Sequence, residues 1–181
     1  NGFDERIIPS VKKELPTYDL FYAGRFYWEP KDFFNGVLDA NLSLAHAGVP
    51  QEYNHQFMKT KQFTQLGLLS QREMYLELQK AEIGVVFTID VPFESTTKLY
   101  DYLALNKKIL IITQGKPNVG VLKRELEKYP NYKWVKNNQK DIEDAIVELK
   151  NMELVEVDPN QFSRRETLRS LTDQIKALFN E

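Results

Sequence analysis

The side chains able to do chemistry in this sequence are few. There is no cysteine, which removes a thiol nucleophile, a disulfide framework and any cysteine metal site. His46 and His55 are the only imidazoles, too few for a histidine-rich metal centre. The informative groups are cations and hydroxyls beside glycine or at a helix mouth. Gly24-Arg25 follows an apolar run, and Lys31 comes soon after, beside Pro30. Gly24 lets the backbone turn and admits a ligand closely. Arg25 offers a planar, permanently charged fork suited to phosphate oxygens. Lys31 adds a second cation beside a helix N-terminus, which itself favours anions. The plainer alternative is two solvated cations paired with Glu29 and Asp32. Further on, Ser95-Thr96-Thr97-Lys98 supplies hydroxyls, free amides and a lysine where a helix begins, an arrangement that can hold a diphosphate without a glycine-rich loop. Asp101 follows one turn later and could accept both hydroxyls of a ribose. The alternative there is an ordinary cap at Ser95 or Thr96, with an exposed Lys98–Asp101 pair worth a few tenths of a kcal/mol.

The elements that must position these groups can be read from apolar spacing. Tyr18 to Ala23 reads as a buried strand ended by Gly24. Pro30 suits a first helical turn, and Phe33, Phe34, Val37, Leu38 and Leu42 continue a helix expected to end near Gly48-Val49-Pro50. Phe57 and Phe63 mark candidate short strands. Leu66-Gly67-Leu68-Leu69 precedes Ser70 and Glu73, a capping box that opens a helix through Met74, Leu76, Leu78 and Ala81. Ile83 to Thr88 and Lys108 to Ile112 are continuous and apolar, as strands covered on both faces require. Helices are expected over Thr96 to Asn106, Val119 to Tyr129 and Gln139 to Leu149, with a short strand from Tyr132 to Val135. Beyond Val157-Asp158-Pro159, an amphipathic stripe of Phe162, Leu168, Leu171, Ile175, Leu178 and Phe179 predicts a long last helix. This stripe reads as core or as an interdomain contact. His46 falls at the end of the first predicted helix, where a C-terminal charge or a partial core residue is expected, and His55 in a polar, solvated loop. Phe26, Tyr27 and Trp28 read as packing, with closure of a cleft as the other possibility.

Strands alternating with helices imply βαβ units and a parallel sheet of about five or six strands with helices on both faces, an α/β, Rossmann-like fold. In such a sheet, ligands bind beyond the carboxyl ends of the strands, so the useful residues should follow Ala23, Leu66 and Thr88. The 181 residues, 42% of them hydrophobic, suffice for a single core, so one domain over residues 1–181 is expected, with a tail from about residue 157. Charged residues make up 28%, and 24 Lys+Arg against 26 Asp+Glu leave a net charge of −2, which argues against a chain built to coat nucleic acid. No apolar run approaches the roughly 20 residues that span a bilayer. The sequence begins Asn1-Gly2-Phe3-Asp4 without Met, so an upstream portion is expected. The absence of cysteine fits a cytoplasmic, reducing compartment.

Taken in order, these segments resemble the C-terminal nucleotide-sugar domain of a family 4 retaining glycosyltransferase, one half of the two-Rossmann-domain GT-B fold. Asn1-Gly2-Phe3-Asp4 resembles the opening of that domain, and Phe21-Tyr22-Ala23-Gly24-Arg25-Phe26-Tyr27 its first strand and glycine turn. Leu66-Gly67-Leu68-Leu69-Ser70 resembles the turn that meets the nucleobase. Thr97-Lys98-Leu99-Tyr100-Asp101-Tyr102-Leu103-Ala104 resembles the helix of the form Thr-Lys-apolar-x-acidic-Tyr-apolar-Ala. The last helix resembles the one that crosses back toward the other domain.

The resemblance implies that Arg25 binds donor phosphate, with Lys31 a second candidate one position later than in many members. Gly24 turns beside the donor, and Ser95, Thr96, Thr97 and Lys98 lie near its diphosphate. Asp101 holds the ribose, and Leu68 and Leu69 flank the base. Many members carry two glutamates eight positions apart. Here Phe93 stands eight before Asp101 and Glu94 seven before, so Glu94 would reach the donor sugar only through a rearranged loop. Expected partners are a nucleoside diphosphate sugar and an N-terminal acceptor domain, with no nucleic acid and no membrane span. No resident cofactor or metal is expected. This chain alone is expected to be inactive. A sugar-nucleotide epimerase half of the same architecture and a non-catalytic interaction module on a Rossmann-like scaffold are the alternatives.

Overall fold

The computed structural model describes residues 2–10, 15–26, 28–51, 57–88 and 96–179, with the side chains at 170, 174 and 177–179 left aside. Tyr27, His55, Glu94 and Ser95 lie outside the described residues, as do the side chains of Leu178 and Phe179.

Six strands form one sheet: β1 (Tyr18–Ala23), β2 (Leu44–Ala47), β3 (Phe63–Gly67), β4 (Ala81–Phe87), β5 (Lys108–Thr113) and β6 (Tyr132–Lys136). Their spatial order is β3-β2-β1-β4-β5-β6, and each neighbouring pair is parallel. The chain order reverses between β1 and β4. Connections from these two strands leave in opposite directions, which opens a crevice at their carboxyl ends.

Alternation along the strands divides the core into two layers. Phe21, Ala23, Val86, Ile109 and Ile111 pack one face against α2 (Gln71–Gln79), α3 (Thr97–Ala104) and α4 (Gly120–Glu125). Leu20, Tyr22, Ile83, Val85, Leu110 and Ile112 pack the other against α1 (Lys31–Asp39) and α5 (Gln139–Asn151). Both faces of the inner strands are therefore dry, which is why Ile83 to Phe87 and Ile109 to Ile112 read as unbroken apolar runs. The capping box forms as expected: Ser70 Oγ accepts from the Glu73 amide, and the Glu73 carboxylate accepts from the Ser70 amide.

Several expectations are corrected. The helix that opens after Pro30 stops at Asp39, and Asn41 takes φ 51°, a left-handed residue that ends it. The following Leu44–Ala47, all buried, is strand β2, so His46 lies inside the sheet and not at a helix end. Leu, Ala and His carry little strand signal of their own, and burial between β1 and β3 decides the outcome. Phe57 sits in a 3₁₀ turn (Phe57–Lys59), while Phe63 does begin a strand. The helix expected from Val119 is shorter, Gly120–Glu125, and Ala81 belongs to β4. The last helix, α6 (Arg164–Phe179), leaves Leu168, Leu171 and Ile175 exposed, whereas Phe162 is buried just before it.

Candidate functional site

A cavity of about 790 Å³ opens at the carboxyl ends of β1, β2 and β3 and the start of α3. Its wall includes Gly24, Arg25, Leu68, Leu69, Thr97, Lys98 and Asp101, residues from three separated segments. This volume is in the range that holds a drug-sized or nucleotide-sized ligand.

The glycine turn after β1 is held from beneath. Gly24 takes φ 143°, a conformation that side chains oppose. The Tyr22 hydroxyl donates to the Arg25 carbonyl at 2.6 Å. The Gln51 side chain clasps Phe26, its Oε1 accepting from the amide at 2.9 Å and its Nε2 donating to the carbonyl at 3.0 Å. The backbone around Arg25 is thus fixed, while the guanidinium itself is exposed at the cavity wall. Lys31 behaves as the plainer alternative describes: it is exposed, pairs with Glu29 at 3.4 Å, and is not among the cavity's lining residues.

Across the cavity, Thr96 caps α3 by its backbone position without a side-chain hydrogen bond to the first turn. The first turn of α3, with Thr97 and Lys98, lines the cavity, and a helix's first-turn amides lack intrahelical partners and favour an anion through the dipole. Asp101 is not an exposed partner of Lys98. It is buried, 6% exposed, with Oδ1 accepting from the Tyr75 hydroxyl at 2.7 Å and Oδ2 lying 3.7 Å from Lys98 Nζ. Burial raises its pKa, and the Tyr75 hydroxyl, the Lys98 charge and the Gln71 side chain oppose that shift without cancelling it. Burial and the neighbouring Asp101 charge push the Tyr75 phenol upward, so Tyr75 stays a donor.

Several residues at the site were not anticipated. Gln71 lines the cavity, and Tyr75, four residues on along α2, is buried and holds Asp101; that spacing was the available signal. Arg164 opens α6 more than sixty residues beyond Asp101, lines the cavity, and donates from Nε to the Gly2 carbonyl at 2.9 Å. No local pattern links it to the site. Phe3 pairs with Ser163 in a single parallel bridge, bringing the first residues to the same wall. Leu68, Leu69, Val49, Pro50 and Met74 give the cavity an apolar part of its lining, with Leu68 and Val49 exposed and Met74 buried. Among the described residues no cluster of three or more His, Asp or Glu could hold a metal ion, and no helix is long and apolar enough to cross a membrane. The arrangement offers three exposed or half-exposed cations, Arg25, Lys98 and Arg164, and a helix mouth to an anion, a buried carboxylate to hydroxyl donors, and apolar side chains to a flat ring.

No protein-family model matches the sequence, and a comparison with curated proteins finds no match. Solved structures share the fold. AviGT4, a glycosyltransferase involved in avilamycin A biosynthesis, superposes with a TM-score of 0.61 at 14% identity, over 84% of this chain and 47% of that one. Sucrose-phosphate synthase from Thermosynechococcus elongatus gives 0.60 at 12% identity, over 99% of this chain and 51% of the other. A putative UDP-N-acetylglucosamine 2-epimerase from Listeria monocytogenes gives 0.56 at 11% identity, over 82% and 43%. At such identities the likeness is one of fold, and this chain spans about half the length of each of these proteins.

Proposed function

We propose that this chain is the donor-binding half of a glycosyltransferase that takes its sugar from a nucleoside diphosphate sugar. The observation that carries the reading is the meeting of Arg25, Lys98 and the α3 mouth in one cavity at the reversal point of the sheet. In this reading Arg25 and Lys98, with the α3 amides, hold the diphosphate. They stabilise the negative charge that grows on it as the bond to the sugar breaks. Arg164, also in the cavity lining, adds positive charge. Asp101 accepts from ribose hydroxyls, and Leu68 and Leu69 flank the base. The diphosphate charge is met by side chains and backbone amides, so the site is proposed to work without a bound metal. Lys31, tied to Glu29 outside the wall, is given no direct role. Retention at the anomeric carbon, membership of family 4 and the position of this half after an acceptor domain follow from the sequence resemblance. The acceptor and its pocket belong to that other domain, so the chain alone binds donor without transferring sugar.

The fold likeness to an epimerase supports a second reading, a sugar-nucleotide epimerase half with the same phosphate cradle. Analysis of the products formed by the two-domain protein separates the two. The binding proposal is tested by NMR titration with uridine, adenosine, guanosine and deoxythymidine diphosphate glucoses. At least one should saturate, with the largest shifts at the amides of Gly24, Arg25, Leu68, Thr97 and Lys98. Shifts confined to other surfaces, or none, would remove the cavity as a donor site.

A further inference from the structure

Residues 2–3 and the start of α6 are fastened together at the cavity, and the fastening decides where Arg164 sits. The Arg164 amide donates to the Phe3 carbonyl at 2.9 Å, and Arg164 Nε donates to the Gly2 carbonyl at 2.9 Å. Phe3 and Ser163 form a parallel bridge beside these bonds, and both are buried. Gly2, Phe3 and Arg164 all line the cavity that Arg25, Lys98 and Asp101 line. Gly2 takes φ 138°, which side chains oppose. Its space is closed as well. A Cβ there would come within 2.7 Å of the Arg164 amide nitrogen and 2.8 Å of the Phe162 carbonyl oxygen, and backbone atoms do not swing aside as a side-chain end does. Any larger residue at position 2 must shift the fastening, and with it the anchor of the Arg164 guanidinium.

The charges at the cavity give this fastening a use. Lys98 Nζ lies 3.7 Å from the Asp101 carboxylate, so part of its charge is already answered. Each phosphate of a nucleoside diphosphate ester is ionised near neutrality, and Arg25 is a single cation. Arg165 and Arg169, also on α6, pair with Glu5 and Glu166, both at 3.8 Å, whereas among the described residues no ion pair involves Arg164. Asp4, which feels the Arg164 charge from further off, is bound by Arg6 at 2.6 Å. With Nε given to Gly2, the Arg164 Nη groups remain as a planar fork matched to phosphate oxygens. We propose that Arg164 binds the diphosphate in this cavity and that Gly2 is the positioning residue that aims it. Arg25 then meets the diphosphate from the β1 turn and Arg164 from the start of α6, with Lys98 and the α3 amides completing the cradle. That the diphosphate belongs to a nucleotide sugar rests on the function proposed above; the fastening of Arg164 to Gly2 does not.

The test begins with ¹⁵N NMR of the native chain, the Nε–H signal of Arg164 being assigned from its loss in Arg164→Gln. Inorganic pyrophosphate, and then the four diphosphate glucoses, are titrated in. The ligands that bind should move that signal as they saturate. In calorimetry Arg164→Gln should bind the same ligand about tenfold more weakly, or worse, the loss expected when hydrogen bonds to a charged group are broken. An Nε–H signal unmoved at saturation, or full affinity in Arg164→Gln, would overturn the role of Arg164. Gly2→Ala should weaken binding by a similar factor, and should cost nothing more once Arg164 is Gln, because the two act as one unit. Additive losses would overturn the aiming role of Gly2. Arg164→Lys reads the fastening without altering Gly2: it keeps the charge but lacks the fork that serves Gly2 and an anion together, so it too should bind more weakly, and full affinity in it would overturn the aiming role. If a diphosphate glucose moves the amides of Arg25 and Lys98 and leaves Arg164 unmoved, the donor site stands and the role of Arg164 falls. If pyrophosphate binds through Arg164 but none of the four diphosphate glucoses binds, the nucleotide-sugar function falls while the role of Arg164 stands.

Discussion

At Asp101 the cost of burying a carboxyl meets the ribose contact proposed for it. Burial is the largest influence on its carboxyl and raises its pKa above the ordinary 3.8. The folded protein therefore holds this proton more tightly than the unfolded chain. As the pH rises from 3.8 through the raised folded value, the unfolded chain loses its proton first, and stability falls across that window. Above the window the penalty is constant. Asp101→Asn keeps an acceptor for the Tyr75 hydroxyl and has no charge to bury, so it should gain on the native protein as the pH rises through the window. Urea melts on either side of the window measure this. The same variant should bind nucleoside diphosphate sugars more weakly by roughly 1.5–3 kcal/mol, the worth of hydrogen bonds to a charged acceptor. A variant both less stable near neutrality and unchanged in binding would make Asp101 a structural residue.

Helix and strand ends explain a second ionisable group. Lys107 lies between α3 and β5 and reaches the place where α2 gives way to β4. Its Nζ donates to the carbonyls of Gln79 at 3.0 Å and Ala81 at 2.5 Å, closing backbone acceptors that a helix end leaves open. Burial lowers its pKa from 10.5 to about 8. The unfolded chain then binds this proton more tightly, so stability should rise with pH from about 8 until the tyrosines begin to ionise near 10 in the unfolded chain. Lys107→Met should remove that rise, which chemical denaturation at a series of pH values would read; an identical rise in the variant assigns it to another group. These elements differ in how far the sequence revealed them. The inner strands β4 and β5 were legible because both faces are apolar, and α2 because its cap is written in Ser70 and Glu73. Strand β2 was not. Leu44-Ala45-His46-Ala47 fits a helix equally well by residue type, and only pairing with β1 and β3 makes it a strand. Of the cavity lining, Gly24, Arg25 and the Thr97-Lys98-Asp101 helix were legible because glycine turns and helix starts have local signatures. Arg164 was missed because its contacts join segments far apart in sequence.

At the scale of the whole molecule, the order β3-β2-β1-β4-β5-β6 does the positioning. It brings the ends of β1 and β4 together with the helix mouth that follows β4, so three stretches of modest individual meaning share one cavity. The net charge of −2 gives no general attraction for anions, and the positive groups at the cavity act locally. Fold alone does not decide chemistry, since transferases and an epimerase share this half. In the proposed function the chemistry rests on recognition of a diphosphate, and the exposed Arg25 at the cavity wall is the cation proposed to carry it. Calorimetric titration of the native chain and of folded Arg25→Ala with the tightest-binding nucleoside diphosphate glucose is therefore the most direct test. The native chain should bind and the variant should lose roughly 1.5–3 kcal/mol of affinity. Equal affinity in the two proteins would contradict the assignment of this cavity to a sugar donor's diphosphate.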